Sequence, residues 1–327
     1  MSVKDSRFSG YDIIGDVHGC ALSLRILLNR MGYRQQQGVY QHPDRQAIFV
    51  GDIIDRGPHI REALHLVRDM VEAGHAQIVM GNHEYNYLCY TTPAPSGFAQ
   101  PYLRKHTPRN HRILEATLEQ LANYPDDQRD FLNWFEQMPV FLEFDHFRVV
   151  HACWHQTLID RFLAMNGGNR MKRGFLFRSA VGDSQEHDIM DILLRGTHLE
   201  LPNKEIMVSK DGFERSFFRT KFWLRDPYYL NDVVFQPDPL PAHLAKLPLT
   251  REQRSELICY RDDYKPLFIG HYWCQGEPEA LAPNLACLDY SAVKYGKLVA
   301  YRLDEETRIQ NDKFVWVDVA REVALND

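Results

Sequence analysis

Residues 11–19 read Tyr11-Asp12-Ile13-Ile14-Gly15-Asp16-Val17-His18-Gly19: a short apolar run, a glycine, an aspartate, and a histidine two residues further on. An apolar run of this length closed by glycine suits a buried strand that turns sharply at its end. A helical pattern follows through Leu22, Ile26, Leu27 and Met31, and Gly32 stops it. The unit then repeats. Ala47 to Val50 is a second apolar run, Pro58 precedes a helical pattern through Leu64, Val67 and Val71, Gly74 ends it, and Ile78 to Met80 is a third run. Strand, helix, strand, helix, strand at this spacing predicts βαβ units, a sheet with helices against it.

Outward from this core the pattern changes. Residues 91–138 turn helical and more polar, most clearly over Ile113 to Leu121 and Phe131 to Met138. Val140 to Phe144 and Phe147 to Val150 flank Asp145-His146 as a hairpin would. Residues 156–265 are rich in Phe, Tyr, Arg and Pro, with a proline-dense patch from Pro237 to Pro248. They read as a cap or insertion over a site. Strand patterns return at Leu267 to Ile269, Leu285 to Leu288, Leu298 to Leu303 and Phe314 to Val319. The expectation is one domain over 1–327, with insertions at about 91–138 and 156–265.

Composition narrows the function. With 44% hydrophobic and 25% charged residues the chain is globular, not fibrous or disordered. Its net charge of −6 argues against general nucleic-acid binding through a basic surface. No apolar run approaches the roughly 18 residues of a membrane span, and Met1 to Gly10 lacks a signal-peptide stretch. The six cysteines lie scattered with no CxxC pair, so a reducing cytoplasm is the expected compartment.

Five short apolar runs end in a potential metal ligand: Asp-Ile-Ile-Gly-Asp16, Ile-Phe-Val-Gly-Asp52, Ile-Val-Met-Gly-Asn82, Arg-Val-Val-His151 and Leu-Phe-Ile-Gly-His271. The carboxyl ends of strands open onto the ligand crevice of α/β sheets. With His18 added, the set is two Asp, one Asn and three His. Any one Asp after a strand is ordinarily a helix cap. Six such coincidences are a site. Mixed oxygen and imidazole donors suit Mn²⁺, Fe or Zn²⁺ better than Ca²⁺ or Mg²⁺. Six groups exceed what one catalytic ion takes and suffice for two divalent ions if one carboxylate bridges.

Gly15-Asp-Val-His-Gly19, Gly51-Asp-Ile-Ile-Asp-Arg-Gly57 and Gly81-Asn-His-Glu84, in that order, resemble the signature of the PPP-type, calcineurin-like metallophosphoesterases. That superfamily includes serine/threonine protein phosphatases, symmetrical diadenosine tetraphosphatases and the phosphatase module of bacterial polynucleotide kinase-phosphatases. The resemblance is close over 11–90, resumes around His151 and His271, and fades over 91–140 and 156–265. It implies an α/β four-layer fold, two mixed β-sheets packed as a sandwich with helices outside. It implies that Asp16, His18 and His271 hold one ion and Asn82, His151 and Asp52 the other, with Asp52 as bridge and Mn²⁺ as the first ion to expect. A hydroxide shared by the two ions would then be the nucleophile.

Asp55, Arg56 and His83 remain as non-ligands. Arg56 offers a bidentate fork to a phosphate, to which Asn82 would also lie close. His83, with Asp55 fixing its tautomer, would donate a proton to the leaving oxygen. Glu84 reads as a favourable acid in a first helical turn. Some positions depart from the family pattern. His151-Ala-Cys-Trp stands where relatives have His-Gly-Gly or His-Ala-Gly, Tyr-Trp follows Gly270-His271 in place of the usual Thr, and Ser291 stands where glycine is common. The family's second phosphate arginine has no matching motif, and Arg225 and Arg178 are the candidates.

Basic clusters at 104–112 and 170–178 suit a polyphosphate, a nucleotide or an acidic phosphopeptide as well as they suit a solvated helix face. The aromatic series Phe217, Phe218, Phe222, Trp223, Tyr228 and Tyr229 suits stacking on a base, or core beneath a cap. The leading expectation is a phosphomonoesterase of the protein-phosphatase kind. A dinucleoside polyphosphate hydrolase or RNA 5′-pyrophosphohydrolase stands second, and a silent phospho-binding scaffold third. The partner is then a phosphorylated protein or a small phosphoester or nucleotide, with no membrane.

Overall fold

The computed structural model describes residues 7–208, 214–235 and 240–319. Met1–Ser6 of the polar N-terminus, and Pro237 and Pro239 of the proline patch, lie outside the described residues.

The first sheet is built on β1 (Gly10–Ile14), β2 (Arg45–Phe49) and β3 (Ala76–Ile78), parallel to one another with Tyr11 opposite Gln46 and Ala47 opposite Ala76. α1 (Ala21–Arg30) and α2 (Ile60–Glu72) are the crossovers. The βαβ reading of the first eighty residues therefore holds. α3 (Asn82–Thr91) follows β3, and α4 (Pro108–Leu121) and α5 (Pro125–Glu136) occupy the stretch read as helical. The expected hairpin is β4 (Phe141–Glu143) and β5 (Arg148–Val150), antiparallel with Leu142 opposite Val149.

That hairpin starts the second sheet, which adds β6 (Leu267–Ile269) and β7 (Leu285–Cys287), both parallel to their neighbours. The chain then crosses at Leu288 into the first sheet. There β8 (Asp289–Tyr290), β9 (Lys297–Leu303) and β10 (Phe314–Asp318) pair antiparallel, β9 lying against β1 with Tyr11 opposite Leu303. Both sheets are mixed.

Alternation along each strand explains the layering. Ile13, Ile48 and Val50 of the first sheet share one buried cluster with Leu142, Val149, Phe268 and Ala286 of the second. Ile14, Phe49, Val150, Ile269 and Cys287, one residue out of phase, belong instead to the cluster made with the helices. The result is helix, sheet, sheet, helix.

The stretch read as one irregular cap divides in two. Its first part is α6 (Gln156–Asn166), α7 (Arg173–Ser179) and α8 (Gln185–Arg195), whose Ile159, Phe162, Phe175, Ile189 and Leu193 join Val150 and Ile269 in the core. Their boundary signals are ordinary: Ser184 Oγ accepts from His187 N–H, and Gly167 and Gly196 close two of the helices at positive φ. The second part gathers a small apolar cluster of its own, with Leu199, Phe218, Leu230, Val233, Leu244 and Leu249.

Candidate active site

All six residues singled out at the strand ends lie buried where the carboxyl ends of the two sheets meet. Asp16 and His18 follow β1, Asp52 follows β2, Asn82 opens α3, His151 follows β5 and His271 follows β6. His18, Asp52, Asp55, Arg56 and His271 all adopt positive φ (43°, 52°, 70°, 70° and 63°), a strained conformation for side-chain-bearing residues that clusters at functional sites.

The imidazoles are aimed by the backbone. His18 Nδ1 bonds the Ile54 carbonyl at 2.8 Å and His151 Nδ1 the Val50 carbonyl at 2.7 Å. A carbonyl only accepts, so each Nδ1 carries the proton and each Nε2 turns a lone pair inward. Those Nε2 atoms lie 3.7 Å and 3.4 Å from Asp52 Oδ2, and His151 Nε2 is 3.1 Å from Asn82 Oδ1. Asp52 Oδ1 accepts the His83 N–H at 2.9 Å, and Asp16 Oδ2 accepts the His271 N–H at 3.1 Å.

Among the described residues two groups of donor atoms are close enough to hold an ion: His18, Asp52 and His83, and Asp52, His151 and His271. Asp52 belongs to both. Asp16 Oδ1 and His271 Nε2 are buried with no hydrogen-bond partner. Burial, then Asp289 and Asp52, pushes the Asp16 carboxyl well above its usual range. Burial, then Arg56, pushes His18 down, and burial, then Arg219, does the same to His271. Against its burial, Asp52 raises His151. Imidazoles and carboxylates gathered this closely are what divalent cations require, so the donor set fits two of them.

Glycines seat the carboxylates. A Cβ on Gly81 would stand 2.2 Å from Asp52 Oδ1, and one on Gly270 would stand 2.0 Å from Asp16 Oδ1.

Beside this set lies a second arrangement. His83 Nδ1 meets Asp55 Oδ2 at 2.5 Å, and its Nε2 is 3.2 Å from Arg56 Nη2. Thr117 Oγ1 accepts the Asp55 N–H at 3.0 Å and donates to Asp55 Oδ1. Glu84 is more than a helix-terminal acid. Its carboxylate accepts N–H bonds from Asp52, Ile53 and Ile54 as well as Gly81, at 2.8, 2.8, 3.3 and 3.0 Å, and so pins the loop that carries Asp52.

The two arginines proposed from sequence are engaged elsewhere. Arg225 is exposed and ion-paired with Asp262 at 3.1 Å, and Arg178 is exposed and paired with Glu186. Arg219 stands nearer: its guanidinium lies 5.6 Å from the Tyr272 ring and bears on His271. It sits on a short strand, Phe217–Arg219, opposite His198–Glu200. Asp289, buried after β7 with one oxygen unpartnered and bearing on Asp16, is a second residue beside the donor set that sequence reasoning missed. Neither has a local motif. Only the apolar run before Asp289 signalled it.

A buried set of Asp, Asn and His at the mouth of two facing sheets defines a metal-dependent hydrolase. The model of the calcineurin-like phosphoesterases matches residues 11–271, and the chain belongs to that family, hydrolases of phosphoester bonds with a dinuclear divalent metal centre. The asymmetrical bis(5'-nucleosyl)-tetraphosphatase PrpE of Halalkalibacterium halodurans is 32% identical over 185 residues, 53% of this chain and 67% of that one. Its namesake in Oceanobacillus iheyensis is 32% identical over 158 residues, 46% and 58% of the two chains. The matches thus span about three fifths to two thirds of these relatives' length. A serine/threonine phosphatase from Saccharomyces cerevisiae with similarity to human phosphatase PP5 shares the fold, with TM-score 0.50 and 12% identity over 99% of this chain and 84% of that one. Among the described residues no helix is long and apolar enough to cross a membrane.

Proposed function

We propose that this chain hydrolyses nucleoside polyphosphates at a two-metal centre held by Asp16, His18, Asp52, Asn82, His151 and His271. The observation that carries the metal assignment is Asp52, whose Oδ2 has His18 Nε2 on it at 3.7 Å and His151 Nε2 at 3.4 Å. When bound, a divalent pair supplies activated water and holds the phosphate oxygens. Mn²⁺ is the ion to try first, with Fe and Zn²⁺ as alternatives suited to the same donors. The residues do the rest. His18 and His151 keep their Nε2 lone pairs inward because backbone carbonyls hold Nδ1. Arg56 grips the phosphate, and Arg219, close to His271, serves as the second arginine. His83 gives a proton to the departing oxygen, Asp55 holds its Nδ1, and Thr117 holds Asp55. His83 stays a non-ligand because Arg56, a cation, sits 3.2 Å from its Nε2.

The sequence ranked phosphomonoesters of the phosphoprotein kind first. The tetraphosphatase relatives support the second reading, so the substrate proposed is a dinucleoside polyphosphate. Parallel assays of diadenosine tetraphosphate, an RNA 5′-triphosphate end and a phosphopeptide with Mn²⁺ test it. Faster turnover of the phosphopeptide would return the protein to the phosphatase class. Tight phosphopeptide binding with no turnover of any of the three would make it a scaffold.

A further inference from the structure

Just past His271 the chain presents Trp273, half-buried, with cations against it. Arg56 Cζ lies 5.0 Å from the ring centroid and Lys294 Nζ 3.6 Å. Arg56 also contacts His83 Nε2 at 3.2 Å, so one guanidinium separates the indole from the proton donor. Trp273 also lines a cavity of about 470 Å³ together with Gln275, Tyr290, Ser291, Lys294 and Lys297, and among the described residues no carboxylate is in its lining. Lys297 is shared with Asp318 at its edge, 3.5 Å away. The turn that carries Lys294 runs between Ser291 and Tyr295, two non-glycine residues at φ 56° and 61°. Backbone held in that region by its surroundings is a feature of ligand clamps.

We propose that this cavity is the leaving-group subsite, and that Trp273, Lys294 and Lys297 receive a leaving group that itself carries phosphate. The inference rests on the phosphoester hydrolysis proposed above. The acid stands on the side where the bond breaks, so the departing part of the substrate extends past His83 and Arg56 toward Trp273. In the step itself, water oxygen bonds to phosphorus, the bridging P–O bond breaks, and the departing oxygen takes the His83 proton. A serine or tyrosine leaving group departs as a neutral alcohol and gains nothing from lysines. A phosphoanhydride departs as a polyanion, and Arg56, Lys294 and Lys297 form a cationic path for it. The indole holds the Lys294 ammonium at the wall by a cation–π contact, so part of the ordering is done before substrate arrives.

The test uses the metal-loaded protein with inorganic tripolyphosphate, metal in excess, followed by tryptophan fluorescence. Lys294→Ala should weaken tripolyphosphate binding about tenfold, the loss expected for one charge-assisted contact. The fluorescence change should vanish in Trp273→Phe. In kinetics, Lys294→Ala should lower kcat/KM for diadenosine tetraphosphate relative to para-nitrophenyl phosphate by the same factor of about ten. An unchanged tripolyphosphate affinity in Lys294→Ala, or an equal loss on a phosphopeptide, would overturn the subsite. Absence of all turnover would instead strike the hydrolase reading, and the fluorescence titration would still decide the subsite.

Discussion

Asp12 and Asp16 lie four residues apart on and just beyond β1, both buried, and the protein treats them in opposite ways. Asp12 Oδ1 accepts from Arg45 Nε at 2.9 Å and from Arg302 Nε at 3.2 Å, and Arg45 also donates to the carbonyls of Tyr11 and Leu303. Each leaves its other oxygen without a partner, but Asp16 receives only one backbone N–H, from His271, and lies beside Asp52 and Asp289. A buried carboxylate is costly unless paired. Where the chain supplies its own cation, the carboxylate is architecture. Where it gathers three carboxylates among imidazoles instead, the cation comes from outside.

The sharpest way to break this contrast is Asp52→Asn. Even residues that only orient a ligand cost 10–100-fold in metal affinity, so loss of the carboxylate common to both donor groups should exceed about 100-fold and abolish turnover. Elemental analysis that still finds both ions, with near-normal rates, would end the bridging assignment. Next comes His83→Asn, which should keep both ions yet slow hydrolysis of poor leaving groups by about 10²–10⁴-fold. The loss should shrink as the leaving group becomes more acidic. A loss equal across the series, or a missing ion, would remove His83 from the acid role.

At the other end of β1, Arg45→Ala should leave metal content intact and lower stability by about 3 kcal/mol, since it strips a cation from a buried pair. Urea unfolding with parallel metal analysis checks it, and a loss of bound metal would erase the distinction between the two ends. The smallest effect is on pH. Because the Asp16 carboxyl is raised, the metal-free fold keeps its proton, and the stability this proton lends is present at low pH and lost as pH rises through the raised value. Bound metal must displace the proton, so affinity should climb with pH by up to about tenfold per unit while one proton is released, then level off. A flat metal titration between mildly acidic and neutral pH would contradict it. Glu84 is a second raised carboxyl, pushed up to about 6 by burial and then by Asp52.

The site was legible because its residues end strands. Each of Asp16, Asp52, Asn82, His151 and His271 sits one or two residues beyond an apolar run, and parallel pairing brings such ends together automatically. Arg219 was not legible, because the pairing of Phe217–Arg219 with His198–Glu200 joins two three-residue strands that carry no pattern of their own. Helices α6 to α8 had caps and stops that could be read, but exposed basic residues such as Arg161, Arg173 and Arg178 interrupt their apolar stripes. Glu84 looked like a first-turn acid because its other three backbone partners, at 52–54, are distant in sequence.

Gly81 and Gly270 carry a consequence for descent. A single methyl group at either would collide with a metal-facing carboxylate, at 2.2 Å from Asp52 Oδ1 or 2.0 Å from Asp16 Oδ1. Drift is closed at the floor of the site, since every other amino acid begins with that same carbon. Lineages that change their diet must therefore write the change at the rim, in side chains such as Trp273 and Lys294 that border open space.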